Sequence, residues 1–290
     1  MEQFCDRQFG VFTTRQVFLE YTRAELRALL ARGEWVRVFH GVYREATTPS
    51  SVTLRVAAAR LSMGLTFLAA SYHTAAELHG FSVINDGLTH VLGIQASRSQ
   101  RLIVHRDRVD PAQLEPINGI VTTNAARTCV DLARALPRMD ALATLDLALR
   151  QGLSRAELGV EIERQAGRRG CRQAAELITL ADCRAESPME SRTRLRCIDA
   201  RLPHPEPQLE VQTQDGPRRI DLGWRQWQIG LEYDSATWHS GEPAAVRDNP
   251  RHNSLTTQGW TIFYTAAPHV YQHPHTFTEP IRQAIATRRA

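Results

Sequence analysis

The chain has 290 residues at 42% apolar, 23% charged and 7% aromatic, an ordinary globular composition that excludes disorder and fibre and allows about two domains by size. All 35 basic residues are arginine, which excludes a P-loop nucleotidase, a pyridoxal enzyme and a protein kinase, because each depends on a particular lysine. The net charge of +4 leans toward a polyanionic partner, although the arginine bias itself fits a GC-rich genome as well as it fits phosphate recognition.

No run approaches the roughly 18 apolar residues of a membrane span, and the start, Met1-Glu2-Gln3-Phe4-Cys5-Asp6, has neither the basic nor the apolar region of a signal peptide. The expected location is therefore cytoplasmic. The five cysteines, Cys5, Cys129, Cys171, Cys183 and Cys197, are odd in number and include no C-x-x-C pair, so reduced thiols are expected.

From Phe12 to Arg44 the pattern predicts a short helix over about Thr14–Glu20, a turn, a second helix and two strands. Thr22 and Glu25 form a T-x-x-E capping box, Leu26, Leu29 and Leu30 make an apolar stripe, and Gly33 is placed to end the helix. Trp35–Phe39 alternates as a strand, His40-Gly41 is the turn, and Val42–Arg44 returns. This is the winged-helix order. A second helix of this kind lies in the DNA major groove, and Thr22, Arg23 and Arg27 sit away from the leucines, while Arg37 and Arg44 on the hairpin can reach flanking phosphates. A merely solvated helix face is the competing reading of Arg23 and Arg27. The segments GVFTTRQ and LRALLARGEWVRVFHGVYR resemble the N-terminal winged helix of AbiEi-type antitoxins, a likeness that implies promoter binding and a cognate toxin in a type IV toxin-antitoxin system.

The middle region starts with an apolar helix, Leu54–Leu61, followed by the alternating segment Leu88–Ile94. Ala141–Leu149 is strongly helix-forming, and Ser154 with Glu157 caps another helix. SYHTAAELHGF and GIVTTNAARTCVDLAR are similar to the region after the winged helix in the same antitoxins. His73 and His79 are site candidates by that likeness, but their six-residue spacing is no metal motif and a structural role is the simpler reading. Arg127 and Asp131 read as an i,i+4 pair.

In the last third, Ser187-Pro188-Met189-Glu190 opens a helix whose stripe is Leu195, Ile198 and Leu202. A strand over Leu209–Thr213 runs to a turn at Asp215-Gly216, and a hairpin follows with arms Ile220–Leu222 and Gln228–Asp234 around a two-residue turn, Arg225-Gln226. With that turn Asp221 faces Gly230. Glu232 is then diagonal to Asp221 on the same face, at roughly 7–8 Å between backbones, and Asp234 shares the face. Ile220, Leu222, Ile229, Leu231 and Tyr233 gather opposite as a core surface. A three-residue turn would break this parity. Carboxylates so grouped suit a divalent, oxygen-liking cation, Mg2+ or Mn2+, with Asp221 and Glu232 as ligands.

The runs RRIDLGW, IGLEYDSATWH and RDNPRHNSLTTQGWTIFYTA, about 100 residues in all, resemble domain-of-unknown-function nucleases related to the very-short-patch repair endonuclease, of the restriction-endonuclease-like PD-(D/E)XK fold. The likeness implies metal ligation by Asp221 and Glu232, Asp234 in place of the usual lysine, assistance from His239, a nearby Glu190, and DNA contacts from Arg247 and Arg251. Ser235 stands where that pattern has glycine and Tyr264 where it commonly has arginine, and no lysine is present to stabilise a transition state. Glu190 reads equally as the third residue of a capping box, and Asp234 as the opening of a turn. His269, His273 and His275 read as surface histidines, and Trp224, Trp227, Trp238 and Trp260 as core.

The sequence thus predicts a multidomain α/β protein: a winged helix-turn-helix over 1–50, an antitoxin-like middle domain of helices and mixed structure over 51–185, and a restriction-endonuclease-like domain with a central mixed sheet over 186–290. The expected function is binding of double-stranded DNA with Mg2+- or Mn2+-dependent phosphodiester hydrolysis. The alternative is a non-catalytic antitoxin that represses its own operon and meets a toxin protein. The sequence leaves the oligomeric state open.

Overall fold

A computed structural model describes residues 8–97, 99–214, 216–234 and 254–289. By backbone proximity the chain divides into two compact units, Met1–Leu132 and Ala133–Ala290. No helix among the described residues is long and apolar enough to cross a membrane.

The first unit opens with β1 (Val11–Thr13), α1 (Thr14–Val17), α2 (Arg23–Ala31), β2 (Trp35–Phe39) and β3 (Val42–Glu45). Helix α1 is shorter than the pattern predicted. Strand β1 was not predicted; it pairs antiparallel with β3 and completes a three-stranded sheet ordered β1-β3-β2. Phe12 explains the addition: wholly buried, it lies edge-on to Trp35 at 4.7 Å and beside Tyr43 at 6.3 Å, in a core closed by Val17 and Leu26. The sheet also packs away from that core. Val11, Phe39 and Val42 join Leu54, Ala57 and Ala58 of α3 (Val52–Met63) and Val91 and Leu102 beyond it in a second cluster.

The rest of this unit is a five-stranded mixed sheet ordered β6-β5-β4-β8-β7, from β4 (Ala69–Ala70), β5 (Thr89–Leu92), β6 (Leu102–His105), β7 (Leu114–Ile117) and β8 (Ile120–Thr123), with α4 (Tyr72–His79) between β4 and β5. Strand β5 is buried at all four positions, where the sequence alternation predicted one solvated face. It is flanked by β4 on one side and β6 on the other, so both its faces and both its edges are covered.

Helix α5 (Ala125–Ala135) crosses from the first unit into the second. The second unit continues with α6 (Arg138–Arg150), α7 (Arg155–Arg164), α8 (Cys171–Leu180) and α9 (Pro188–Asp199), then a sheet ordered β12-β11-β10-β9. Strands β9 (Glu206–Thr213), β10 (Gly216–Trp224) and β11 (Ile229–Tyr233) form an antiparallel meander, and β12 (Thr261–Thr265) runs parallel to β11. Helices α10 (Ala267–Gln272) and α11 (His275–Arg289) follow, their Val270, Phe277, Ile281 and Ile285 packing on Leu222, Trp224, Ile229 and Leu231.

Two expectations for the hairpin are corrected. The turn is a 3-10 turn over Arg225–Trp227 closed by left-handed Gln228, so it holds four residues and not two. The register becomes Leu222 opposite Leu231 and Gly223 opposite Gly230. The change is two residues, and past the last pair the Asp221 carboxylate accepts from the Tyr233 N–H at 2.9 Å. Ile220, in contrast, leaves the apolar set predicted for it and packs with Leu209, Val211, Leu255 and Trp260. The alternation slips at Asp221, whose partner position on β9 is Gln208, a non-glycine residue at φ +50°. Gly230 makes room for the displaced side chain: a Cβ there would stand 2.8 Å from Ile220 Cγ2.

Candidate nucleic-acid interface

Helix α2 begins as its sequence dictates. Thr22 Oγ1 accepts from the Glu25 backbone N–H at 3.3 Å, and the Glu25 carboxylate accepts from the Thr22 N–H at 2.7 Å and from its hydroxyl at 2.8 Å. These bonds hold the Glu25 carboxyl below its ordinary range, the backbone donor contributing most. Gly33, at φ +72°, ends the turn after the helix as expected. Leu26 alone is buried on the helix, while Thr22, Arg23 and Arg27 are exposed.

Neither Arg23 nor Arg27 has a carboxylate partner among the described residues. Arg27 Nε donates to the Arg23 carbonyl at 3.4 Å, and the Arg23 guanidinium stands 5.9 Å from the Phe18 ring. Next to them Phe18 and Leu19 are exposed, Leu19 at 71%. Arg37, exposed on β2, lies over the Tyr43 ring at 5.7 Å. Arg44 is engaged differently: its Nη1 donates to the carbonyls of Glu45, Ala46 and Thr48 at 3.0, 3.2 and 2.6 Å, which ties down the chain leaving the hairpin. The face thus offers two cations at a capped helix start, with a third cation on β2.

In the second unit, Asp221 and Glu232 adjoin the paired Leu222 and Leu231 on β10 and β11, and Asp221 Oδ2 accepts from the Tyr233 N–H at 2.9 Å. Asp234 follows β11, half-buried, its N–H donating to the Thr265 carbonyl on β12 at 2.8 Å. Glu190 is buried on α9. Ser187 Oγ accepts from its N–H at 3.2 Å, but the predicted capping box does not close, because the Glu190 carboxylate accepts from the Glu186 N–H at 2.9 Å and from Gln208 Nε2 at 2.8 Å. A carboxylate spent on those two donors orders β9 against α9. His239, Arg247 and Arg251 lie outside the described residues, as does Trp238.

The histidine candidates separate. His79 Nε2 lies 2.8 Å from the Thr123 carbonyl and its ring stacks on Phe81, a packing role. His73 lies 5.0 Å from the ring of His90 on β5. Arg127 and Asp131 do pair, at 2.6 Å, yet both are buried and Arg127 also donates to the Arg108 carbonyl and to Gln113, so the pair is an internal strut and more than a surface helix contact. Arg194 bonds both oxygens of Asp146 at 2.9 and 2.7 Å, equally hidden. Sequence reasoning missed both struts' burial, since a charge in a sequence carries no mark of its surroundings. No disulfide joins the four described cysteines.

Two family models match the chain: "Transcriptional regulator, AbiEi antitoxin" over residues 1–46 and "AbiEi antitoxin C-terminal domain" over residues 66–180. Two curated relatives, "Uncharacterized protein MT2308" and "Uncharacterized protein Rv2248" of two Mycobacterium tuberculosis strains, are each 39% identical over 257 residues, covering 87% of this chain and 93% of the relative. Among solved structures, the crystal structure of the RV2827C protein from Mycobacterium tuberculosis aligns with 66% of this chain and 77% of its own, at 16% identity and a TM-score of 0.46.

Proposed function

Because the chain belongs to one family with those two mycobacterial proteins, and its first 180 residues carry both AbiEi matches, we propose that it is a DNA-binding transcriptional regulator of the antitoxin type, with a toxin protein as its partner. The observation that carries the DNA half of this reading is the start of α2, where Thr22, Arg23 and Arg27 are exposed on a helix fixed by its capping box. Such a helix end presents its N-terminal residues to base edges when it enters the major groove, and arginine's rigid fork suits guanine there. Arg37 on the wing adds a phosphate contact.

The test is binding to the DNA upstream of its own gene, compared with a scrambled duplex at one fixed salt concentration. A regulator should prefer its own site by about 10³-fold or more, and Arg23→Ala with Arg27→Ala should erase the preference. Equal affinity for both duplexes, or a preference untouched by the two substitutions, would defeat the reading. Co-purification with the product of a neighbouring gene tests the toxin half.

A second reading keeps metal-dependent phosphodiester hydrolysis in the last third. It is favoured by the places of Asp221 and Glu232 next to the paired Leu222 and Leu231, in a sheet whose antiparallel meander is joined by a parallel β12. Both donors are carboxylates, which suits Mg2+ or Mn2+, and a bound ion would activate water beside a scissile phosphate. Asp234 is the nearest further acid on β11's continuation. Supercoiled plasmid incubated with Mn2+ or Mg2+ should be nicked by the wild type and not by Asp221→Ala or in chelator; no nicking by the wild type removes this reading and leaves the regulator intact.

A further inference from the structure

The five-stranded sheet of the first unit carries a group of ligating side chains that neither reading uses. His90 is buried on β5, His73 is half-buried on α4, and Asp86 stands in the connection between them. One ligand atom from each lies within 4.8 Å of the other two, which is the sole grouping of this kind among the described residues. His90 Nε2 is 2.8 Å from Asp86 Oδ2, while Asp86 Oδ1 accepts from the Leu88 N–H at 2.9 Å and so fixes the carboxylate. On its other side His90 Nδ1 meets His105 Nε2 at 2.9 Å, and His105 stacks on Tyr72 at 3.8 Å.

The backbone around this group is under constraint. Tyr72, immediately before His73, takes φ +48°, an unfavourable region for an aromatic residue. Ser71 donates its N–H to the His90 carbonyl at 3.1 Å, which continues the β4–β5 ladder and sets it opposite His90 on the same face. The Ser71 hydroxyl is fully buried and has no hydrogen-bond partner among the described residues, the kind of orphaned polar group that calls for an explanation.

We propose that His73, Asp86 and His90 bind one divalent transition-metal ion, with zinc the best fit to the donor set. Two imidazole nitrogens and one carboxylate oxygen are the borderline ligands that zinc takes at about 2.0–2.2 Å, whereas Mg2+ and Ca2+ prefer oxygen alone. The ion replaces the Asp86–His90 hydrogen bond and leaves a fourth position for water. His90 then binds through Nε2 and donates Nδ1–H to His105, the outer support that ligating histidines usually have. The three ligands come from a helix, a loop and a strand, so the metal would pin the 80–88 connection to the sheet.

The experiment strips the full-length protein with a chelator, adds Zn2+ or Co2+, and counts ions per chain after gel filtration. One equivalent is expected, with a visible Co2+ spectrum that shows nitrogen ligation. Asp86→Asn preserves the acceptor for Leu88 and should lose the ion to background, as should His73→Gln, while His105→Ala should weaken binding about 10–100-fold. His273→Ala, distant in sequence and in the other unit, should change nothing. A second measurement needs no variant: ring NMR signals of His73 and His90 should shift on zinc addition to the wild type. No retained ion, an ion kept by both Asp86→Asn and His73→Gln, or unshifted ring signals would overturn the assignment.

Discussion

Arg23 and Arg27 on α2 and Arg192 and Arg194 on α9 are the same side chain on a capped helix, yet their surroundings are opposite. The first two are exposed and have no carboxylate partner among the described residues; the second two are buried, Arg192 bonded to Asp140 at 2.9 Å and Arg194 bidentate to Asp146. Each helix is fixed by a serine or threonine cap. What separates them is whether the neighbouring helix supplies an acid. Helix α6 places Asp140 and Asp146 against α9, so those arginines hold the unit together, whereas α2 has its leucine stripe on one side and solvent on the other. An arginine-rich composition therefore says little about nucleic acid until the internal pairs are set aside.

The largest effect should come from breaking a buried pair. Asp146→Ala leaves the Arg194 guanidinium uncompensated in a site where Asp146 also receives the Asp182 N–H, and should cost about 3–5 kcal/mol in urea unfolding. Burial lifts the Asp146 carboxyl above its ordinary range against the pull of Arg194. Replacing both partners with apolar residues of similar volume should recover much of the loss. A single substitution that unfolds nothing would erase the contrast between α9 and α2.

On α2 the order reverses. Arg23→Ala and Arg27→Ala should leave the unfolding midpoint within about 0.5 kcal/mol of wild type, because nothing folded depends on them, while each lowers affinity for the preferred DNA by about 1–3 kcal/mol. Arg37→Ala should weaken binding to all sequences alike and reduce the salt slope by about 1, the mark of a phosphate contact. Arg44→Ala sharpens the comparison within one hairpin: with its Nη1 on three carbonyls, it should lose stability before it loses affinity.

Local signals were the legible part of the sequence. The capping boxes at Thr22 and Ser154, the left-handed Gly33 and the hairpin from Trp35 all appear where the residues place them, since each depends on neighbours within a few positions. Strand β1 escaped notice because three residues carry too little periodicity, and its pairing with β3 is a long-range choice made by Phe12. The hairpin register differs from the expected one by two residues, because a 3-10 turn is longer by two residues than a tight one. Nothing local could reveal the slip at Asp221, which depends on Gln208 across the sheet, or the gathering of His73, Asp86 and His90 from three elements.

The smallest effect concerns the cap that holds the α2 face rigid. In the folded chain the Glu25 carboxyl titrates below 4.5, its ordinary value, because the Thr22 N–H and hydroxyl bond its ionised form. The unfolded state therefore binds the proton more readily. The cap's contribution is complete above about pH 4.5 and disappears as the pH falls through the lower folded value. Glu25→Gln retains a neutral acceptor but no titrating group, so its midpoint should fall less steeply than that of the wild type below that pH. Measured side by side in urea, parallel curves would mean that the carboxylate does not close on Thr22 in solution. The start of α2 would then be frayed, and Arg23 would lose the fixed position that distinguishes it from an ordinary solvated arginine.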